Sequence, residues 1–271
     1  QSYPDLKTLR EYLPAGSLSP YSREMLAHQK SPGGNETIER YLARDFFVPK
    51  DFGAYVYMSQ VMAGEILRCT AEHMRRDRAY SRGLLLWQHN DCWPVVSWSG
   101  VDYRGRWKAQ QYYAKRFFAP VLASARLADG RAELVLVNDR PEPVAGRLQW
   151  TLYDGRSILR AGDADVTLAP ASAETRAAVP VPAARRERCV LCCTFRRGEQ
   201  ILSRNSLLLT EQREHSFERP VLRARLTREG AGCRLELTAG CFVKSLCVDA
   251  AEGDIRLSDN FFDLEPNMPY T

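Results

Sequence analysis

Four of the five tryptophans of this 271-residue chain fall in one stretch, between Trp87 and Trp107. It reads Trp87-Gln88-His89-Asn90-Asp91-Cys92-Trp93-Pro94, then Ser97-Trp98-Ser99, Asp102-Tyr103 and Gly105-Arg106-Trp107-Lys108-Ala109. An indole has a broad apolar face that can stack on the C–H face of a sugar ring. Asn, Asp and Gln side chains can meet the ring's hydroxyls, as donors or acceptors. Trp87, Asn90 and Asp91 supply both kinds of group within five residues, and they are the candidate substrate-binding residues. Trp98 and Trp107 read instead as packing residues.

Other chemistry is thinner. Glycoside hydrolysis needs two carboxyl groups, about 5–5.5 Å apart for retention and about 6.5–9.5 Å for inversion. Asp91 and Asp102 are the carboxylates of the Trp-rich stretch, and they make no convincing pair. Glu24, Glu36, Glu39, Glu65 and Glu72 fall in contexts typical of solvated faces. His28 also reads as a solvated side chain, with a loop near the site as the alternative. No phosphate-binding glycine loop, nucleophile elbow or HExxH motif is present. Cys189-x-x-Cys192 has the spacing of half a zinc site or a redox pair, but no second such pair follows. The run Cys189-Val190-Leu191-Cys192-Cys193-Thr194-Phe195 reads better as a buried strand, with the thiols as small hydrophobes. No metal site and no cofactor are expected. Eight cysteines used in this way favour a reducing compartment, hence weakly the cytoplasm.

Composition narrows the class. Hydrophobic residues are 45% and charged residues 26%, as in ordinary globular proteins. No apolar run approaches the ~18–20 residues of a membrane span, so no membrane partner is expected. Arginines outnumber lysines 32 to 6, which raises a phosphate-binding reading. The formal charge is only +5, with Arg scattered among Asp and Glu, so no nucleic-acid partner is expected. The chain opens on Gln1 rather than Met, which reads as a cut end.

The elements that must position the Trp-rich stretch change character near residue 120. Before it the pattern is helical. Asp5 to Leu13 makes a short helix, and Glu36 to Phe47 a second that stops before Pro49. Asp51 is an N-cap for a long third helix ending near Arg76, with Tyr55, Val56, Ser59, Met62, Ala63, Ile66 and Leu67 on one face. Leu84-Leu85-Leu86-Trp87 reads as a strand buried on both faces. Trp107 to Phe118 returns to helix. Helix, buried strand, loop, helix is the rhythm of an α/β barrel or doubly wound sheet, where the segment after a strand builds the active face. After Pro120 the pattern is of short strands, at 121–127, 131–137, 147–152, 166–168, 188–195 and 206–209, the signature of an antiparallel sandwich. A second β series follows at 221–226, 233–237, 243–247 and 255–257.

The Trp-rich stretch from Leu85 to Ala109, with Tyr113-Ala114-Lys115-Arg116-Phe117-Phe118-Ala119-Pro120, resembles β-mannosidases of glycoside hydrolase family two. Gln1-Ser2-Tyr3-Pro4 is similar to the tail of that family's nucleophile motif. Pro49-Lys50-Asp51-Phe52 and Tyr57-Met58-Ser59-Gln60 resemble further landmarks, and Ser258-Asp259-Asn260-Phe261-Phe262-Asp263-Leu264 resembles a motif of its last sandwich domain.

The resemblance implies α/β plus all-β architecture: the C-terminal part of a (β/α)8 TIM barrel followed by immunoglobulin-like β-sandwich domains. Residues 1–120 would be the end of the catalytic barrel, with Leu84–Trp87 as its eighth strand. Residues 121–213 would be one immunoglobulin-like sandwich, and 214–271 a second, incomplete one. The family is retaining and needs no cofactor. It would remove terminal non-reducing β-D-mannose from oligosaccharides or glycoproteins through a covalent glycosyl-enzyme. The nucleophile would lie four residues before Gln1 and the acid/base Glu further upstream, so this chain would carry no catalytic residue. What transfers is Trp87 as a platform, with Asn90 and Asp91 beside it. The partners implied are a β-mannoside oligosaccharide and the upstream part of the same polypeptide. The isolated chain would be inactive and prone to misassociation. Two other readings stand beside this one: a non-catalytic carbohydrate-binding or scaffold protein, and a family-two hydrolase acting on another glycone.

Overall fold

The computed structural model describes residues 1–81 and 83–271, and the chain divides into two compact units. One comprises Gln1–Met74 and Tyr80–Phe118; the other comprises Arg75–Ala79 and Ala119–Thr271.

The first unit is helical. Helix α1 (Leu6–Tyr12) starts at Asp5, whose side chain accepts from the Lys7 amide at 2.6 Å. A single turn, α2 (Arg23–Ala27), follows, capped by Ser22. Helix α3 spans Gly34–Asp45. Helix α4 (Phe52–Arg76) begins where Asp51 Oδ1 takes the Ala54 amide at 2.7 Å, so the expected cap is present. Helix α5 is Ala109–Phe117. Tyr3, Leu9, Met25, Ile38, Leu42, Tyr55, Val56, Met62 and Val96 form the core. The periodic apolar face read along α4 is therefore the face that packs.

The expected strand at Leu84–Trp87 is not there. These residues have no regular structure, Leu85 is 98% exposed and Trp87 78% exposed. A strand buried on both faces needs a paired neighbour on each side and layers above and below. No other strand lies in this unit among the described residues, so four apolar residues in a row have nothing to pair with. Only a helical portion of the barrel architecture is visible. Glu72 also departs from the solvated reading: it is buried and paired with Arg68.

The second unit is built of antiparallel strands. Strands β1 (Val121–Ala128), β2 (Arg131–Asn138) and β5 (Ser172–Pro180) make one sheet in the order β1-β2-β5. Strands β3 (Val144–Asp154), β4 (Ser157–Leu168), β6 (Cys189–Arg197) and β7 (Gln200–Leu208) make the other, ordered β4-β3-β6-β7. Alternate residues of both sheets meet in one core: Val121, Ala123 and Ala125 of β1, Ala132, Leu134 and Leu136 of β2, Leu148 and Leu152 of β3, and Leu191, Cys193 and Phe195 of β6. That is a sandwich. The β1–β2 hairpin turns through Asp129 (φ 48°) and Gly130 (φ 72°), a two-residue loop whose left-handed residues match the strand twist.

Strand β6 is central and explains its unbroken apolar run. Leu191, Cys193 and Phe195 face the sandwich core, while Val190 and Cys192 pack with Tyr153 and Phe242 on the other face. Cys189, Cys192 and Cys193 are buried free thiols.

Strands β8 (Leu222–Glu229) and β9 (Gly232–Ala239) form a two-stranded hairpin, and β10 (Val243–Leu246) pairs with β11 (Phe262–Leu264). Leu237, Ala239, Phe262 and Leu264 form their shared core. Two strands escaped the sequence pattern, β5 and β11, and the strand expected at 255–257 is absent. Ile255 is exposed and has no ladder partner, so its apolar character does not imply a strand.

Candidate functional site

The segment between α4 and α5 is held by backbone hydrogen bonds that fold it back on itself. The Gly100 amide donates to the carbonyls of Gln88 (3.1 Å) and His89 (3.0 Å), and the Asp91 amide donates to Val101 (3.0 Å). The Lys108 amide in turn donates to Gly100 at 2.9 Å. Ser2 joins from the start of the chain, its amide donating to Ser97 at 2.9 Å.

The three predicted site residues are treated differently by this loop. Trp87 projects into solvent. Asn90 is exposed as well, and its side-chain amide donates to the Asp91 carbonyl at 3.1 Å. Asp91 is 5% exposed, and its two carboxylate oxygens accept from Ser97 Oγ and Ser99 Oγ, each at 2.6 Å. Its carboxylate is thus already engaged in holding the loop. Trp87 and Asn90 are exposed to solvent, whereas Asp91 organises the backbone between them and Ser99.

Asp102 is a second buried carboxylate with a similar task. Its Oδ2 accepts from Thr8 Oγ1 at 2.6 Å, and its Oδ1 from the amides of Arg104 (2.9 Å) and Arg106 (3.0 Å). Arg106 reaches Thr8 Oγ1 and Glu11, and Arg104 also pairs with Glu11. These two Arg contacts hold the Glu11 carboxyl below its ordinary range. Trp107 stands edge-on to Tyr112, ring centres 5.1 Å apart, yet is 43% exposed, so it packs on one side only.

His28 is not a solvated side chain. It caps α2, its Nδ1 lies 2.7 Å from the Pro94 carbonyl, and its ring stands between Tyr12 (4.6 Å) and Trp93 (5.8 Å). Lys30 sits over the Trp93 ring at 5.8 Å. The Tyr12 hydroxyl is buried and its pKa is raised by that burial and by the charges of Asp102 and Asp91.

Sequence reasoning passed over Lys108. It is 1% exposed, and its ammonium donates to the Ser2 carbonyl at 3.2 Å. Burial pulls its pKa down to about 8, against the opposing attraction of Asp91 and Asp102. A signal was present: this is one of only six lysines in a chain that otherwise uses arginine as its base. Among the described residues, no group of three or more His, Cys, Asp or Glu side chains could hold a metal ion.

Comparison with known proteins adds the family. Residues 130–214 match the Mannosidase Ig/CBM-like domain and residues 217–271 an Ig-fold domain of mannosidases. β-Mannosidase B of Thermothelomyces thermophilus is 38% identical over 131 residues, and the β-mannosidase of Capra hircus 33% identical over 135. Each alignment covers 45% of this chain and 15% of the relative's length. The crystal structure of the β-D-mannosidase of Dictyoglomus thermophilum superposes on all of this chain with a TM-score of 0.89 and 25% identity, the chain spanning 34% of that protein. An exo-chitosanase of Amycolatopsis orientalis shares the fold with a TM-score of 0.78 at 17% identity. With two mannosidase domain models matched in sequence, β-mannosidases as relatives and structural overlap with one of them along the whole of its own length, this chain resembles the C-terminal part of the β-mannosidases of glycoside hydrolase family two.

Proposed function

We propose that the chain is the C-terminal part of a retaining, exo-acting β-mannosidase that removes terminal non-reducing β-D-mannose from oligosaccharides or glycoproteins. In this reading residues 1–120 complete the catalytic (β/α)8 barrel, 121–213 form one immunoglobulin-like sandwich and 214–271 most of a second. The two carboxylates of the reaction come from the upstream part of the same polypeptide. One protonates the leaving oxygen; the other attacks the anomeric carbon, and water then releases the sugar with retention. No cofactor, nucleic acid or membrane enters the reaction.

The observation that carries the proposal is the similarity to β-mannosidases, at 33–38% identity over the aligned stretches. The loop geometry supports a part in sugar binding. An indole 78% exposed to water on a loop locked by buried carboxylates suits a platform that must be rigid and uncovered at once. Trp87 would stack on the sugar's apolar face, Asn90 would meet a hydroxyl, and Asp91 would keep both in place.

The test uses the longest native polypeptide that carries residues 1–271. It is expected to hydrolyse p-nitrophenyl β-D-mannopyranoside and release mannose first as the β anomer. Trp87→Ala should lower kcat/KM roughly thirtyfold, the value of about 2 kcal/mol for truncating a buried-on-binding aromatic. The 271-residue chain alone should show no turnover. Hydrolysis confined to another glycoside, or by the isolated chain, would overturn the reading.

A further inference from the structure

Among the described residues Lys108 is the most deeply buried cation, and it stands at the end of a relay of hydrogen bonds. The Lys108 ammonium donates to the Ser2 carbonyl at 3.2 Å. The Ser2 amide donates to the Ser97 carbonyl at 2.9 Å. The Ser97 hydroxyl donates to Asp91 at 2.6 Å, so a relay of hydrogen bonds runs from the Lys108 ammonium to the Asp91 carboxylate. The Lys108 backbone completes a second path. Its amide holds the Gly100 carbonyl, and the Gly100 amide holds the carbonyl of Gln88, the residue next to Trp87.

We propose that Lys108 is a positioning residue of the Trp87 loop, its buried ammonium anchoring the Ser2–Ser97–Asp91 relay that fixes where the indole stands. The proposal rests on the reading of Trp87 as a sugar platform. Burying an ammonium costs several kcal/mol, more than one carbonyl contact returns. Two buried carboxylates, Asp91 and Asp102, offset that cost. A charge so placed favours the one loop arrangement that keeps all members together, because hydrogen-bonded networks in a low-dielectric interior stand or fall as a unit. A lysine kept only for packing behaves otherwise: an apolar chain of similar volume can replace it at little or no cost.

A double-mutant cycle in the same full-length polypeptide separates the two, with kcat and KM measured on p-nitrophenyl β-D-mannopyranoside. Lys108→Met is expected to raise KM about tenfold with kcat within threefold of wild type. Lys108→Arg, which keeps the charge, should recover most of the loss. In a Trp87→Ala background the same Lys108→Met change should alter KM less than twofold, because the platform it positions is gone. Additive effects, or a KM within twofold of wild type for Lys108→Met, would overturn the proposal. Where Lys108→Met fails to melt cooperatively, Asp91→Asn takes its place in the cycle, breaking the relay at its far end. A wild-type protein that turns over only another glycoside refutes the mannosidase reading alone, and the cycle is then run on that glycoside. A wild type that turns over no glycoside refutes both.

Discussion

At the residue scale, the chain separates groups that touch solvent from groups that hold them. Asp91 and Asp102 spend their carboxylates inside the protein, and Trp87 spends its indole outside it. His215 shows the same economy of burial in the second unit. Its ring is 8% exposed, its Nδ1 is buried without a partner, and it lies tilted against Phe217, ring centres 4.5 Å apart. Burial lowers its pKa below the ordinary 6.5, with Glu187 opposing. The folded state therefore binds its proton less readily than the unfolded chain. Above about pH 6.5 the imidazole is neutral in both states and its contribution is intact; as pH falls through 6.5 the unfolded chain protonates first and stability drops. Replacing His215 with Leu should flatten the melting temperature between about pH 7 and pH 5 relative to wild type. Glu265 titrates in the opposite sense, since burial raises its pKa, so the comparison is between the two proteins at each pH. An unchanged slope would refute the assignment.

At the element scale, close approach matters more than propensity. Gly64 sits inside α4, where alanine would ordinarily gain about 1 kcal/mol. A Cβ there would stand 2.7 Å from Cδ2 of Tyr113 on α5, whose hydroxyl is tied to Glu65 at 3.0 Å. The ring cannot swing away without losing that bond, and overpacking costs about 1–3 kcal/mol. Gly64→Ala should therefore lower stability by a net ~1 kcal/mol in denaturant titration, where propensity alone predicts a gain. Four of the helices were legible from caps and period, Asp5 and Asp51 marking the starts of α1 and α4, while the five-residue α2 was not. Strand β5 was not, because its Ser172–Pro180 stretch is polar and Ala-rich, and its place is decided by pairing with β2.

At the scale of the whole molecule, the 271-residue chain leaves large apolar groups uncovered. Phe47, Val48, Tyr80, Leu85 and Trp87 are exposed in the helical unit, as are Val221 and Leu226 beside or within β8. Every residue of β8 is exposed, and its outer edge has no ladder partner among the described residues. Such an edge pairs with other chains. The isolated chain should self-associate with rising concentration in sedimentation velocity, and Leu226→Lys, which charges the strand's apolar face, should shift it toward monomer. A monomer at all concentrations would contradict this.

The sequence by itself determined most helices and strands, the buried β6 run and the resemblance to β-mannosidases, because periodicity, caps and a dense cluster of Trp with Asn and Asp are local signals. The fate of each candidate side chain was decided only by the tertiary structure. Leu84–Trp87 reads as a strand, but a strand exists by its neighbours, and this unit supplies none among the described residues. Asp91 reads as a ligand contact, yet Ser97 and Ser99 claim both its oxygens. Lys108 carries no motif; it acquires meaning only when folding places it, buried, beside Ser2, Asp91 and Asp102. Burial and partnership are properties of chain segments brought together from far apart in the sequence, and no local pattern encodes them.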